Sequence, residues 1–168
     1  DLTRYPGRVE HDGVQAIIDT IRAQPGPTTL LCIGPLPNLA AALARAPDIA
    51  PRTRFVGMHG SFAWHIRTNQ KLSMEPGAAH EWNVFCDVPS AQAVFAAPWR
   101  AMTITPLDTC ARVVLDGAPY RRLRESDDPL MQAVIENYRI WATTISGGSD
   151  PERLTSVLFD TVAVHLAH

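Results

Sequence analysis

The sequence predicts an α/β fold, an open and mostly parallel sheet with helices on both faces. Two observations carry the prediction. Short unbroken apolar runs, of which Leu30-Leu31-Cys32-Ile33 is the clearest, read as strands buried on both faces, as in a parallel sheet covered by helices. These runs alternate with segments of helical period, the pattern of successive βαβ units.

Val14, Ile17, Ile18 and Ile21 fall at i, i+3, i+4 and i+7 and mark one helix face. Pro25-Gly26-Pro27 stops that helix. Residues 28–33 form the first strand. Gly34-Pro35-Leu36-Pro37-Asn38 then turns the chain at the strand's carboxyl end, with Asn38 as N-cap of a helix over 39–45. In open sheets that end is where ligands bind. The turn is not a Walker loop and lacks GxGxxG, which argues against a phosphate or dinucleotide cradle.

Residues 54–58 read as a second buried strand, closed by His59-Gly60-Ser61. No period appears from Phe62 to His80, which reads as one long loop. A helix over 90–97 follows, with Asp87 as an acidic anchor near its N-terminus. A third strand over 101–105 runs into Pro106-Leu107-Asp108-Thr109, where Asp108 either caps the turn or faces a site. Leu130, Val134, Tyr138, Trp141 and Ile145 stripe a longer helix that ends at Gly147-Gly148. The last segment, 155–167, holds Asp160 among apolar neighbours, and a buried aspartate must be paired, hydrogen-bonded or bound to metal. One domain over residues 1–168 is expected.

Composition narrows the function classes. With 168 residues, 46% hydrophobic and 19% charged, the chain is long and apolar enough to fold around a core. A formal net charge of −2 with no basic stripe argues against nucleic acid as a partner. The apolar runs are too short to cross a bilayer. The first residues, Asp-Leu-Thr-Arg-Tyr-Pro, lack the features of a signal peptide, so a cytoplasmic location is expected. Cys32, Cys86 and Cys110 are odd in number and widely spaced, which disfavours a zinc site or a disulfide framework and reads as buried thiols.

The most informative stretch is 79–87, A-H-E-W-N-V-F-C-D. Read as extended chain, it projects Glu81 and Asn83 to one side. A carboxylate that accepts and an amide that both donates and accepts suit a polyhydroxylated ligand.

Five blocks in order resemble the nucleoside hydrolases of the inosine–uridine-preferring type. They are Gly34-Pro35-Leu36-Pro37-Asn38-Leu39-Ala40, Phe55-Val56-Gly57-Met58-His59-Gly60, Glu81-Trp82-Asn83-Val84-Phe85-Cys86-Asp87, Thr105-Pro106-Leu107-Asp108-Thr109-Cys110 and Leu158-Phe159-Asp160-Thr161-Val162-Ala163-Val164. The resemblance implies an enzyme that cleaves the N-glycosidic bond of ribonucleosides with a Ca²⁺-bound water, giving ribose and free base. It implies Glu81, Asn83 and Asp160 as catalytic residues, with Glu81 and Asn83 on the ribose hydroxyls. Met58 would pack by the sugar, and Asp160 and the Pro37 carbonyl would ligate Ca²⁺. Apart from the resemblance, His59 at its strand end is a candidate to line the substrate site, and Trp141, on a helix stripe with Tyr138, reads first as core packing and second as a residue that stacks on the base. The implied partner is a small ribonucleoside, with neither nucleic acid nor membrane, and self-association into a homo-oligomer is open.

The chain departs from the family pattern in three places. The aspartate cluster that supplies most calcium ligands and the general base is absent, and Asp127-Asp128 reads instead as a solvated turn. The histidine beside the final aspartate is replaced by Phe159. The family's chains are longer at both ends, so this chain corresponds to their middle and later part. Calcium takes about six to eight oxygen ligands, so the chain alone is expected to hold it weakly and to hydrolyse poorly. The competing reading is an inactive fragment or homologue that keeps the fold and a ribose pocket. A nicotinamide-dependent oxidoreductase ranks third, since the fingerprint glycines are missing.

Overall fold

The computed structural model describes residues 4–66, 74–144 and 150–168. Three strands, β1 (Thr28–Cys32), β2 (Thr53–Gly57) and β5 (Ala101–Ile104), form a parallel sheet in the order β1-β2-β5. Leu30 pairs with Phe55 and Phe55 with Met102, which fixes the register across the sheet.

Alternation along β2 explains why the runs are apolar without a break. Phe55 and Val56 are both fully buried but on opposite faces. Phe55 packs with Ile18 and Ile21 of α1 (Gly13–Ala23), Leu39 and Ala42 of α2 (Pro37–Arg45), and Ala91 and Val94 of α4 (Val88–Ala96). Val56 packs with Leu107 and Cys110 of α5 (Leu107–Cys110) and Ala163 of α8 (Phe159–Ala167). Leu30 and Leu31 divide between the same two clusters. The predicted α/β architecture, with helices on both faces, is the observed one.

Several expectations are corrected. The α2 helix starts at Pro37, one residue before the expected cap, because a proline at the first turn gives up no hydrogen bond there and has its φ preset. Asn38 is therefore inside the helix. The segment 62–80 contains a short antiparallel hairpin, β3 (Trp64–Ile66) against β4 (Met74–Pro76). Asp87 caps α4 as expected, accepting from the Ser90 nitrogen and hydroxyl at 3.0 and 2.8 Å. The helix over the aromatic stripe, α7 (Pro129–Thr144), packs on α6 (Gly117–Arg124), with only Ile135 buried among its described side chains. Leu130 and Val134 face outward. Ile145 and Gly147-Gly148 lie outside the described residues. Asp128 caps α7 through the Leu130 nitrogen at 2.8 Å, in keeping with a solvated turn. Of the three thiols only Cys110 is buried, Cys32 is half-buried, and Cys86, at the C-cap of the short helix over Trp82–Phe85, is exposed.

Candidate active site

A cavity of about 370 Å³ opens across the carboxyl ends of all three parallel strands. Ile33, Met58 and Leu107, each just beyond the end of a strand, line it. Its polar groups come from Glu81, Asn83, His80 and Asp160.

The stretch carrying Glu81 and Asn83 is not extended. Residues Trp82–Phe85 form a short helix, α3, and Glu81 is its N-cap. The Glu81 carboxylate accepts the Asn83 and Val84 N–H groups at 2.8 and 3.1 Å, which draws the chain into a turn. It also accepts the Gly60 N–H at 3.0 Å. A carboxylate has about four acceptor positions, so three backbone contacts leave one for a ligand. Asn83 is buried and donates from Nδ2 to the Met58 carbonyl at 3.0 Å, which leaves its Oδ1 as the group it can offer.

Asp160 lies in the first turn of α8 and lines the same cavity, but it is exposed rather than buried as the sequence suggested. The first turn of α8 reaches the cavity rim while Ala163, one turn on, is the residue that enters the core. Loss of water at the carboxylate, and next the Glu81 charge, push the Asp160 pKa up, with His59 acting the other way. The charges of Asp160 and Glu81 also add to burial in raising the Cys110 thiol to about 12 beneath them.

His59 is fully buried and stands behind the cavity. Its Nε2 lies 3.1 Å from the Gly34 carbonyl, and its ring sits between Phe55 and Phe95 at centroid distances of 5.9 and 5.8 Å. Burial lowers its pKa, opposed by the Gly34 contact and by the Glu81 and Asp160 carboxylates. The wall it forms belongs to an adjoining, mostly apolar cavity of about 420 Å³ that shares Ala79, His80 and Glu81 with the first. His59 lines this adjoining cavity and not the one that holds Asn83 and Asp160.

Two expected site residues stand apart. Trp141 stacks on Tyr138 along α7, centroids 6.0 Å apart, and does not line the cavity. Pro37 is exposed at the start of α2 and does not line it either. Conversely, Trp82 is 70% exposed and lines the cavity, a placement its position between Glu81 and Asn83 could have suggested. Among the described residues no three His, Cys, Asp or Glu side chains gather as a metal ion requires.

A parallel sheet with a carboxylate-rimmed cavity at its strand ends is the arrangement of an α/β protein that binds a small polar molecule. The chain belongs to the inosine-uridine preferring nucleoside hydrolase family, whose sequence model matches residues 4–167. An uncharacterised protein of Schizosaccharomyces pombe is 30% identical over 147 residues, covering 85% of this chain and 42% of its own length. The pyrimidine-specific ribonucleoside hydrolase RihB of Escherichia coli O1:K1 is 36% identical over 116 residues, 63% of this chain and 34% of its own. Among solved structures, the inosine-uridine preferring nucleoside hydrolase of Bacillus anthracis superposes with a TM-score of 0.68 at 23% identity, over 95% of this chain and 49% of that one. A plant nucleoside hydrolase gives 0.71 at 22%, over 98% and 50%. At these identities the structural likeness shows the fold. The chain spans about a third to a half of the length of the relatives it matches. Among the described residues no helix is long and apolar enough to cross a membrane.

Proposed function

We propose that this chain carries the ribose-binding part of a site that hydrolyses the N-glycosidic bond of ribonucleosides. The observation that supports it best is the convergence of Glu81, Asn83, Met58 and Asp160 on one cavity. The open acceptor of Glu81 and the Oδ1 of Asn83 would take sugar hydroxyls. Departure of the base leaves positive charge on the ribose ring. Loss of water at its carboxylate, and next the Glu81 charge, raise the pKa of Asp160 and so disfavour its anionic form at the cavity. A positive charge developing beside that carboxylate would stabilise the anion, so Asp160 would favour the transition state over the neutral substrate.

Calcium belongs to this proposal for the whole protein, with Asp160 as the carboxylate this chain contributes. The bound ion would supply an activated water. Among the described residues no three His, Cys, Asp or Glu side chains gather as a metal ion requires, which supports a second reading, an inactive homologue that retains the ribose pocket.

Titration of the chain with D-ribose, followed by amide chemical shifts, tests the site. Shifts at Gly60, Asn83 and Val84 that vanish in Asn83→Ala are expected, and a wild type insensitive to ribose overturns the reading. Ribose release from inosine or uridine, assayed with calcium, separates enzyme from inactive homologue.

A further inference from the structure

Asp108 does not line the cavity, yet three successive backbone N–H groups point at its carboxylate. Phe62 donates to Oδ2 at 2.9 Å, and Ala63 and Trp64 donate to Oδ1 at 2.7 and 2.9 Å. Burial alone would raise this carboxyl's pKa, but the N–H groups of Phe62, Ala63 and Trp64, together with its own, outweigh it and hold it below the usual aspartate value. Just past α5, Arg112 donates from Nε to the Asp108 carbonyl at 2.9 Å and sets its guanidinium 5.2 Å from the Trp64 ring centre. The two side chains grip the start of the hairpin from the same side.

The grip is linked to the cavity through Ser61. Its hydroxyl donates to the Trp64 carbonyl at 3.1 Å and accepts the Ala79 N–H at 3.0 Å. Ala79, His80 and Glu81 line both cavities. A second tie runs in parallel, with the Leu107 N–H on the Gly60 carbonyl at 2.9 Å and the Gly60 N–H on Glu81.

We propose that Asp108 is a positioning residue for the cavity: its clamp on residues 62–64 sets, through Ser61, the wall formed by Ala79, His80 and Glu81. The clamp deepens the ribose-site reading and rests on it only for its consequence in binding. A carboxylate that accepts three main-chain N–H groups fixes three consecutive backbone positions at once, which a neutral side chain of that size cannot do.

Amide hydrogen exchange on the full chain is the test. In Asp108→Ala, exchange at Phe62, Ala63, Trp64 and Ala79 is expected to quicken by about tenfold or more, with Phe55 and Val56 unmoved. Asp108→Asn, which keeps one acceptor oxygen, is expected to fall between. Ser61→Ala, a milder change should Asp108→Ala fail to fold, is expected to release Ala79 while residues 62–64 stay protected. Unchanged exchange at 62–64 in the Asp108 variants, or at Ala79 in Ser61→Ala, overturns the clamp. D-ribose affinity is expected to fall about fivefold or more in Asp108→Ala while the core amides hold. Intact affinity alongside released amides overturns the positioning role. A wild type that does not bind ribose sinks the site reading, and exchange still decides the clamp.

Discussion

The Gly60 nitrogen lies 3.0 Å from Glu81 Oε2, so one hydrogen bond joins the end of β2 to the start of α3. Gly60 sits at φ +86°, a conformation that a side chain would strain. Glu81 therefore both builds the cavity wall and presents a carboxylate to it. Replacing it with alanine leaves three N–H groups without their acceptor. The expected loss is about 2–4 kcal/mol, from a lost cap and unsatisfied buried donors. Urea unfolding measures it, and a loss under about 0.5 kcal/mol would contradict the structural role.

Gly57 and His59 are coupled by space. A Cβ on Gly57 would stand 2.6 Å from His59 Nδ1 and 3.0 Å from the Cys32 carbonyl oxygen. Gly57→Ala is expected to destabilise by about 1–3 kcal/mol, as overpacking does. In a His59→Ala background the loss should shrink by about 1 kcal/mol, because the ring is gone and only the backbone contact remains. Additive losses in the double-mutant cycle would mean that the ring does not set the tolerance.

His59 carries an acid sensitivity of its own. Its pKa in the fold is below the unfolded value of 6.5, so the unfolded chain binds the proton more readily. Its contribution is fully present above pH 6.5 and is lost as pH falls through the lower folded value. His59→Phe is expected to flatten stability against pH just below 6.5, measured by urea unfolding at several pH values. An unaltered slope would place the sensitivity elsewhere.

Asp160 has the opposite sign. Its folded pKa is above 3.8, so the fold binds this proton more tightly than the unfolded chain, and stability falls as pH rises through that window. Asp160→Asn is therefore expected to be more stable than wild type at pH 7 and equal to it below pH 3.8, while losing any nucleoside cleavage. A variant less stable at neutral pH would mean that the carboxylate is held by favourable contacts. The strain would then be absent, and with it the argument that a cationic transition state relieves it.

The sheet was legible because apolar runs must appear wherever both faces are covered, and Phe55 and Val56 meet that demand in adjacent positions. Strand ends moved by a single residue, within the usual fraying of such limits. The Glu81–Asn83 spacing pointed to two residues that do line one cavity, but it was read in the wrong conformation. A side chain that caps its own downstream N–H groups turns the chain into a helix, and no periodicity shows over four residues. The hairpin was invisible for the same reason, since its strands are three residues each and their anchor, Asp108, is more than forty residues away in sequence. Ile33 and Leu107 carry no chemistry of their own and gain their place only from standing past strand ends. Trp141 had the composition of a stacking residue, but its helix turns that face to Tyr138.

Calcium gives a sharp test of how much of the site these residues make. A ligand that binds only the folded state stabilises it by RT ln(1 + [L]/Kd). A complete shell with a dissociation constant of about 10 µM would, at about 1 mM calcium, add about 2.7 kcal/mol, several degrees of melting temperature. Among its side chains the cavity offers the Asp160 carboxylate, one open position on Glu81 and the Asn83 Oδ1, short of the about six to eight oxygens the ion takes. Thermal unfolding of the chain is therefore expected to move by less than about one degree on adding about 1 mM calcium. D-ribose at saturation should raise the melting temperature without the ion. A calcium shift of several degrees that disappears in Asp160→Asn would mean that this chain assembles the metal centre by itself, and the division of the site proposed here would have to be abandoned.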